Sequence, residues 1–178
     1  MNLLNELVYF LTIKPRLNRL KKLLPEASIY PCGSRYVCSP PVLLTDIDFL
    51  VYSERELEVK LGKLGYRKSM VNNGYGTMVN AYPDRDFLSL RKGKVNLIVT
   101  NDKKFANGWV VATHICKANN FKWKYHRIQV YEALRGNFDP NSFSMEFFDR
   151  ELIDLLASFN GYYGNTMTQA YRAQHGLI

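Results

Sequence analysis

The stretch GSRYVCSPPVLLTDIDFLVY, residues 33–52, decides the fold. It follows a short strand expected over Ala27–Tyr30 that runs into Pro31 and Cys32. Gly33-Ser34 comes next, then eleven intervening residues, then Asp46 and Asp48 at i and i+2. The segment Asp46–Tyr52 ends in a near-continuous apolar run, the pattern of a central strand buried on both faces. Alternate residues of a strand project to one face, so both carboxylates point the same way and Ile47 points into the core. Two like charges side by side on a buried strand are costly unless something positive lies between them. Mg²⁺ is the natural candidate, because it takes hard oxygen ligands and keeps positions open for phosphates. Gly-Ser at the start of a short helix offers backbone N–H groups and a hydroxyl to phosphate oxygens.

An Asp-x-Asp at a strand end is often only a cap, and a lone Gly-Ser is common. In this order and spacing, after one strand and opening another, they resemble the nucleotidyltransferase superfamily whose fold is shared with DNA polymerase β. The family pattern is Gly-Ser, about nine to thirteen residues, Asp-hydrophobic-Asp, then a third acid on a later strand. The resemblance covers about residues 27–100. The stretch VNLIVTNDKKFANGWVVATHICKANN, residues 95–120, is also similar in texture to small nucleotidyltransferase-like proteins of bacteriophages. The implied fold is α+β, a nucleotidyltransferase-like mixed β-sheet flanked by helices with a helical C-terminal portion. The implied activity moves a nucleoside monophosphate from an NTP, such as ATP, to an acceptor hydroxyl on RNA, tRNA, a protein or a small molecule. Asp46 and Asp48 would hold Mg²⁺, with Mn²⁺ as a substitute, and Gly33 and Ser34 would hold the β/γ-phosphates.

The chain departs from this pattern at the third acid. On the strand Val95–Thr100 its place is taken by Asn96. An amide oxygen can ligate Mg²⁺ but carries no charge and cannot accept the nucleophile's proton. Three outcomes are compatible with that substitution. The enzyme works slowly with two carboxylates, or Asp84 or Asp86 enters the site, or the protein binds a nucleotide or other partner without turnover. Lower in rank is the basic-aromatic cluster Lys122–Arg127, within which Lys124 and Tyr125 are candidates for contact with the triphosphate or base. A solvated helix start is the simpler account of that cluster. His114 and His175 have no partner nearby in sequence and are expected to be structural or exposed.

The rest of the chain frames this segment. Leu3, Leu4, Leu7 and Leu11 recur at helical spacing. Pro15 can start a second helix with Leu17, Leu20 and Leu24 on one face, before Pro25 stops it. Ser53 and Glu56 read as a capping box opening a helix with Leu57, Leu61 and Leu64 inward, ended by Gly65. Tyr66–Met70, Thr77–Ala81, Phe87–Leu90 and Val95–Thr100 read as strands, with Arg91–Lys94 as a hairpin turn and residues 72–76 as a hairpin loop. Beyond Asn101 the pattern is helical: a long helix carrying Phe105, Trp109, Ala112 and Cys116, then Lys124–Arg135, Phe147–Phe159 and a piece near Thr168–Gln174. The expected organisation is a single domain over 1–178, with the core in 1–100 and a helical portion, 101–178, packed on it.

At 178 residues with 47% apolar and 22% charged residues, the chain is in the globular range, which excludes a disordered or collagen-like class. Its 24 Lys+Arg against 16 Asp+Glu give a net charge of +8, which favours polyanionic partners without specifying one. Cys32, Cys38 and Cys116 form no CxxC or Cys/His cluster and are expected to be reduced, buried thiols. No apolar run reaches membrane-spanning length, and Lys14, Arg16 and Arg19 follow the leading apolar stretch rather than precede it. A cytoplasmic protein with no membrane partner is expected, in the host cytoplasm if phage-encoded.

Overall fold

The structure is a computed structural model that describes residues 3–68, 87–135, 149–158 and 166–177. The chain divides into two compact units, Met1–Asp102 and Lys103–Ile178. The first unit is a mixed α+β arrangement built on a five-stranded sheet, consistent with the expected nucleotidyltransferase-like fold. Its strands are β1 (Ser28–Cys32), β2 (Ile47–Tyr52), β3 (Arg67–Lys68), β4 (Leu88–Lys92) and β5 (Val95–Thr100), in the spatial order β1-β2-β5-β4-β3.

β2 and β5 are the two apolar runs, and they pair in parallel from Ile47↔Val95 to Tyr52↔Thr100. β1 lies antiparallel to β2 on its other side, and β4 antiparallel to β5. Ile47, Phe49 and Val51 of β2 and Leu97 and Val99 of β5 face one core, closed by Leu17, Leu20 and Leu24 and by Leu57 and Leu61. The first three come from or directly follow α2 (Lys14–Leu23); Leu57 directly precedes α4 (Glu58–Lys63) and Leu61 lies within it. A fully buried side chain of this kind contributes about 1.5–3 kcal/mol. A one-residue slip of β2 would exchange Phe49 for the Asp48 carboxylate in that core, so the register is strongly specified. That register sets where the acidic pair sits.

Three expectations change in detail. The N-terminal stretch is one helical run, α1 (Leu3–Val8), a π-helical turn (Tyr9–Ile13) and α2, rather than two separate helices. The Lys14 N–H reaches back five residues to the Tyr9 carbonyl just before Pro15, which has no N–H to offer the α ladder. Leu3, Leu7 and Leu11 of that run are exposed, and Val8 and Ile13 are buried instead. Ser53 does not cap a helix: its hydroxyl accepts from the Arg55 N–H at 3.1 Å while its own N–H extends the sheet to the Thr100 carbonyl. α4 therefore starts at Glu58, after the proposed box. The hairpin turn is Gly93-Lys94 alone, with Gly93 at φ +57°, so Arg91 and Lys92 are strand residues. The expected strand Thr77–Ala81, the loop 72–76 and Asp84 and Asp86 lie outside the described residues.

The second unit contains α5 (Lys103–Ala118), α6 (Lys124–Arg135), α7 (Arg150–Ser158) and α8 (Thr166–Gln174). α5 is buried along most of its length. It packs on α6 through Trp109 against Tyr131, with ring centroids 4.2 Å apart, and through a 2.7 Å bond between the Thr113 and Tyr131 hydroxyls. The Asp149 carboxylate caps α7 by accepting from the Leu152 N–H at 2.8 Å, three residues into the turn. Cys32, Cys38 and Cys116 are buried and unbridged.

His114 and His175, far apart in sequence, meet in space: their rings lie 5.1 Å apart, and Tyr171 stacks on His175 at 4.0 Å. Burial, followed by the neighbouring His175 and Lys117, lowers the pKa of His114. A base whose folded pKa lies below its unfolded one takes up protons preferentially in the unfolded chain. Stability therefore falls as pH drops below about 6.5, the unfolded value. Thermal unfolding followed by circular dichroism should show a larger fall in midpoint between pH 7.5 and 5.5 for the wild type than for His114→Gln. Equal falls would remove His114 as the cause. Lys117, itself lowered by burial, and Tyr171, raised by burial, are the other titratable groups at this contact.

Candidate nucleotide site

β1 ends at Cys32, and the chain turns directly into α3 (Gly33–Val37). Gly33 holds φ +71°, a left-handed conformation that side chains rarely adopt. A Cβ placed on Gly33 would lie 2.6 Å from the Asp48 Cγ and closer still to Oδ2. Only glycine leaves room there, so the turn and the carboxylate are in direct contact. The Ser34 hydroxyl donates to the Thr45 hydroxyl at 3.0 Å, and Thr45 in turn donates to the Val42 carbonyl at 2.8 Å. Arg35 is 8% exposed and its Nη2 donates to the carbonyls of Leu43 and Thr45. These bonds tie the loop before β2 to the start of α3, which fixes where Asp46 enters the strand.

Across the sheet, Cys32, Asp48, Asn96 and Arg91 occupy one row of paired positions on β1, β2, β5 and β4. The Asn96 amide donates from Nδ2 to Asp48 Oδ1 at 2.9 Å, and its Oδ1 accepts from the Ser89 hydroxyl at 3.1 Å. A carboxylate only accepts, so this amide orientation is dictated by its partner. Arg91 forms an ion pair with Asp46. The Arg35 charge is also close enough to Asp48 for the two to interact electrostatically. The positive charge that an acidic pair requires is therefore present here as two arginines. Among the described residues no group of three or more His, Cys, Asp or Glu side chains is arranged to hold a metal ion.

The structure thus brings together Gly33, Ser34, Asp48 and Asn96, with Asp46 beside them. Lys124 and Tyr125 belong to the other unit, at the start of α6. The basic-aromatic cluster divides there. Trp123, Lys124 and Tyr125 are exposed, whereas His126 and Arg127 are buried. Arg127 Nη1 donates to the carbonyls of Phe121 and Lys122 at 2.7 and 2.6 Å, a structural clasp on the preceding turn. Arg35, Ser89 and Arg91 escape the sequence reading. The alternation Leu88-Ser89-Leu90-Arg91 is the one local signal that places Ser89 and Arg91 on a polar face.

Fold and site together define an α+β protein in which Asp48 is seated against the Gly33 turn and Asp46 is paired with Arg91. No protein-family model matches the chain, and no curated protein matches it in sequence. Among solved structures it is similar to the conserved protein GrpB from Enterococcus faecalis. That likeness has 13% identity and a TM-score of 0.47, over 92% of this chain and 94% of the other. At that level it carries no argument about the site. Among the described residues no helix is long and apolar enough to cross a membrane.

Proposed function

We propose that the protein is a Mg²⁺-dependent nucleotidyltransferase. It would transfer a nucleoside monophosphate from an NTP to an acceptor hydroxyl on RNA, tRNA, a protein or a small molecule. The observation that supports this reading is the contact between Gly33, in its left-handed turn, and the Asp48 side chain. The acceptor oxygen forms a bond to the α-phosphorus, the bond from that phosphorus to the β-phosphate oxygen breaks, and pyrophosphate leaves. The acceptor proton passes to water, since Asn96 cannot take it.

The donor set suits one hard divalent cation. Two carboxylates sit at alternate positions, one seated against Gly33 and the other 34% exposed and free to exchange Arg91 for a ligand. Bound there by Asp46 and Asp48, Mg²⁺ would supply Lewis-acid polarisation of the triphosphate. Ser34 Oγ and the backbone of the Gly33 turn orient the β/γ-phosphates in this account. Arg91, released from Asp46, adds a cation for them.

A second reading, nucleotide binding without turnover, is favoured by the Asn96–Asp48 bond, which fills the third-acid position with a donor. Incubation of each labelled NTP with RNA, protein and small-molecule acceptors in Mg²⁺ separates the two. The first reading predicts label transfer that falls at least about 100-fold in Asp46→Asn/Asp48→Asn, the scale of losing a positioned catalytic group. NTP binding with no transfer to any acceptor supports the second.

A further inference from the structure

On the sheet face opposite Asn96, a cavity of 230 Å³ opens between α2, the segment leading into β3 and the β4–β5 hairpin. Leu20, Leu64, Tyr66 and Val95 line its apolar part, and Arg16, Arg19 and Lys92 its charged part. Arg16 and Arg19 are three residues apart on α2 and so share a helix face. Lys92 is held in place: its Nζ donates to the Leu64 carbonyl at 2.7 Å, and its stem lies beside Gly65, whose φ is +88°. A Cβ at Gly65 would meet Lys92 Nζ and Cε at 3.4 and 3.5 Å. Arg16 Nη1 donates to the Thr12 carbonyl at 2.7 Å. Carbonyls satisfy donors without cancelling charge. Among the described residues none of the three cations is in a salt bridge and no carboxylate lines the cavity. Three cations with no carboxylate partner among the described residues, set around an apolar floor, form a receptor for an anion with an apolar body.

We propose that this cavity binds a small phosphate monoester carried on an apolar or aromatic group. A monoester has a charge of about −1.5 to −2 at neutral pH, which three cations match, and its oxygens suit arginine forks. The volume accommodates a single ring with its phosphate and is below the 300–1,000 Å³ common for drug-sized ligands. Val95 packs towards the core while Asn96, one residue on, faces the other way, so the sheet separates this cavity from the acidic pair. The ligand is therefore distinct from any nucleotide held by Asp46 and Asp48.

The test is an NMR titration of the full chain with phenyl phosphate at low salt, read at the Gly65, Tyr66 and Lys92 amides. Binding should be saturable, and at least about tenfold tighter than that of inorganic phosphate or phenol. Arg16→Gln/Arg19→Gln should weaken it by about tenfold or more, since charge-assisted bonds are lost from two exposed residues. Asp46→Asn/Asp48→Asn should leave shifts at those three amides unchanged, with melting curves confirming that both variants fold. No saturable shift in the wild type, equal affinity for inorganic phosphate, or full binding by the arginine variant overturns the proposal. So does displacement of phenyl phosphate by a twelve-nucleotide single-stranded RNA at more than about tenfold lower concentration, which would reassign the surface to a polynucleotide.

Discussion

Asn96→Asp should raise nucleotidyl transfer about 10²- to 10⁴-fold over the wild type, the range a general base contributes. Asn96 is 5% exposed and bridges Ser89 to Asp48. A carboxylate there keeps the bond from Ser89 but turns the bond to Asp48 into a like-charge contact. Without a divalent cation the variant should lose about 1–3 kcal/mol of stability, from the lost bond and the repulsion. Mg²⁺ should return much of it, because a ligand bound only by the native state stabilises that state. Melting curves with EDTA and with Mg²⁺ read this independently of activity: a large Mg²⁺-dependent shift for Asn96→Asp and a small one for the wild type. An active wild type whose transfer falls in the variant would show that position 96 is not a substituted third-acid position.

Gly33→Ala should cost far more than Gly93→Ala, although both glycines have positive φ. At Gly93, φ +57°, nothing lies within 4 Å of a new Cβ, so the cost is backbone strain of about 1–3 kcal/mol. At Gly33, φ +71°, the same strain is joined by a collision with Asp48, which must move and break its bond from Asn96. A charge-assisted bond adds about 1.5–3 kcal/mol. Urea denaturation of the two variants isolates that difference, and nucleotide affinity should fall in Gly33→Ala alone. Equal losses would mean that Asp48 has room to withdraw and that the turn does not position it.

The sheet was legible because its two central strands carry period-2 and continuous apolar patterns that only one register satisfies. The order of Gly33-Ser34, Asp46 and Asp48 was legible as a motif, but the contact of Gly33 with Asp48 was not, because it depends on the antiparallel pairing of β1 with β2. The arginines were not. Arg91 reaches Asp46 only because the hairpin turns at Gly93-Lys94, and a turn placed two residues earlier puts Arg91 in solvent. Arg35 sits in a five-residue helix whose pattern does not distinguish inward from outward. Ser53 failed as a helix cap because its backbone was already committed to the β2–β5 pairing at Thr100, a tertiary demand that outweighs a local motif. The meeting of His114 with His175 depends on how α5 and α8 pack within their unit, which periodicity does not encode.

The central claim is that Asp46 and Asp48 hold a metal-bound nucleotide against the Gly33 turn. Isothermal titration of each of the four NTPs into wild type and Asp46→Asn/Asp48→Asn, with Mg²⁺ and with EDTA, tests it most directly. The account predicts that at least one NTP binds the wild type at least about tenfold more tightly in Mg²⁺ than in EDTA, and that the double variant loses this difference. Equal affinity in all four combinations of protein and metal would contradict it.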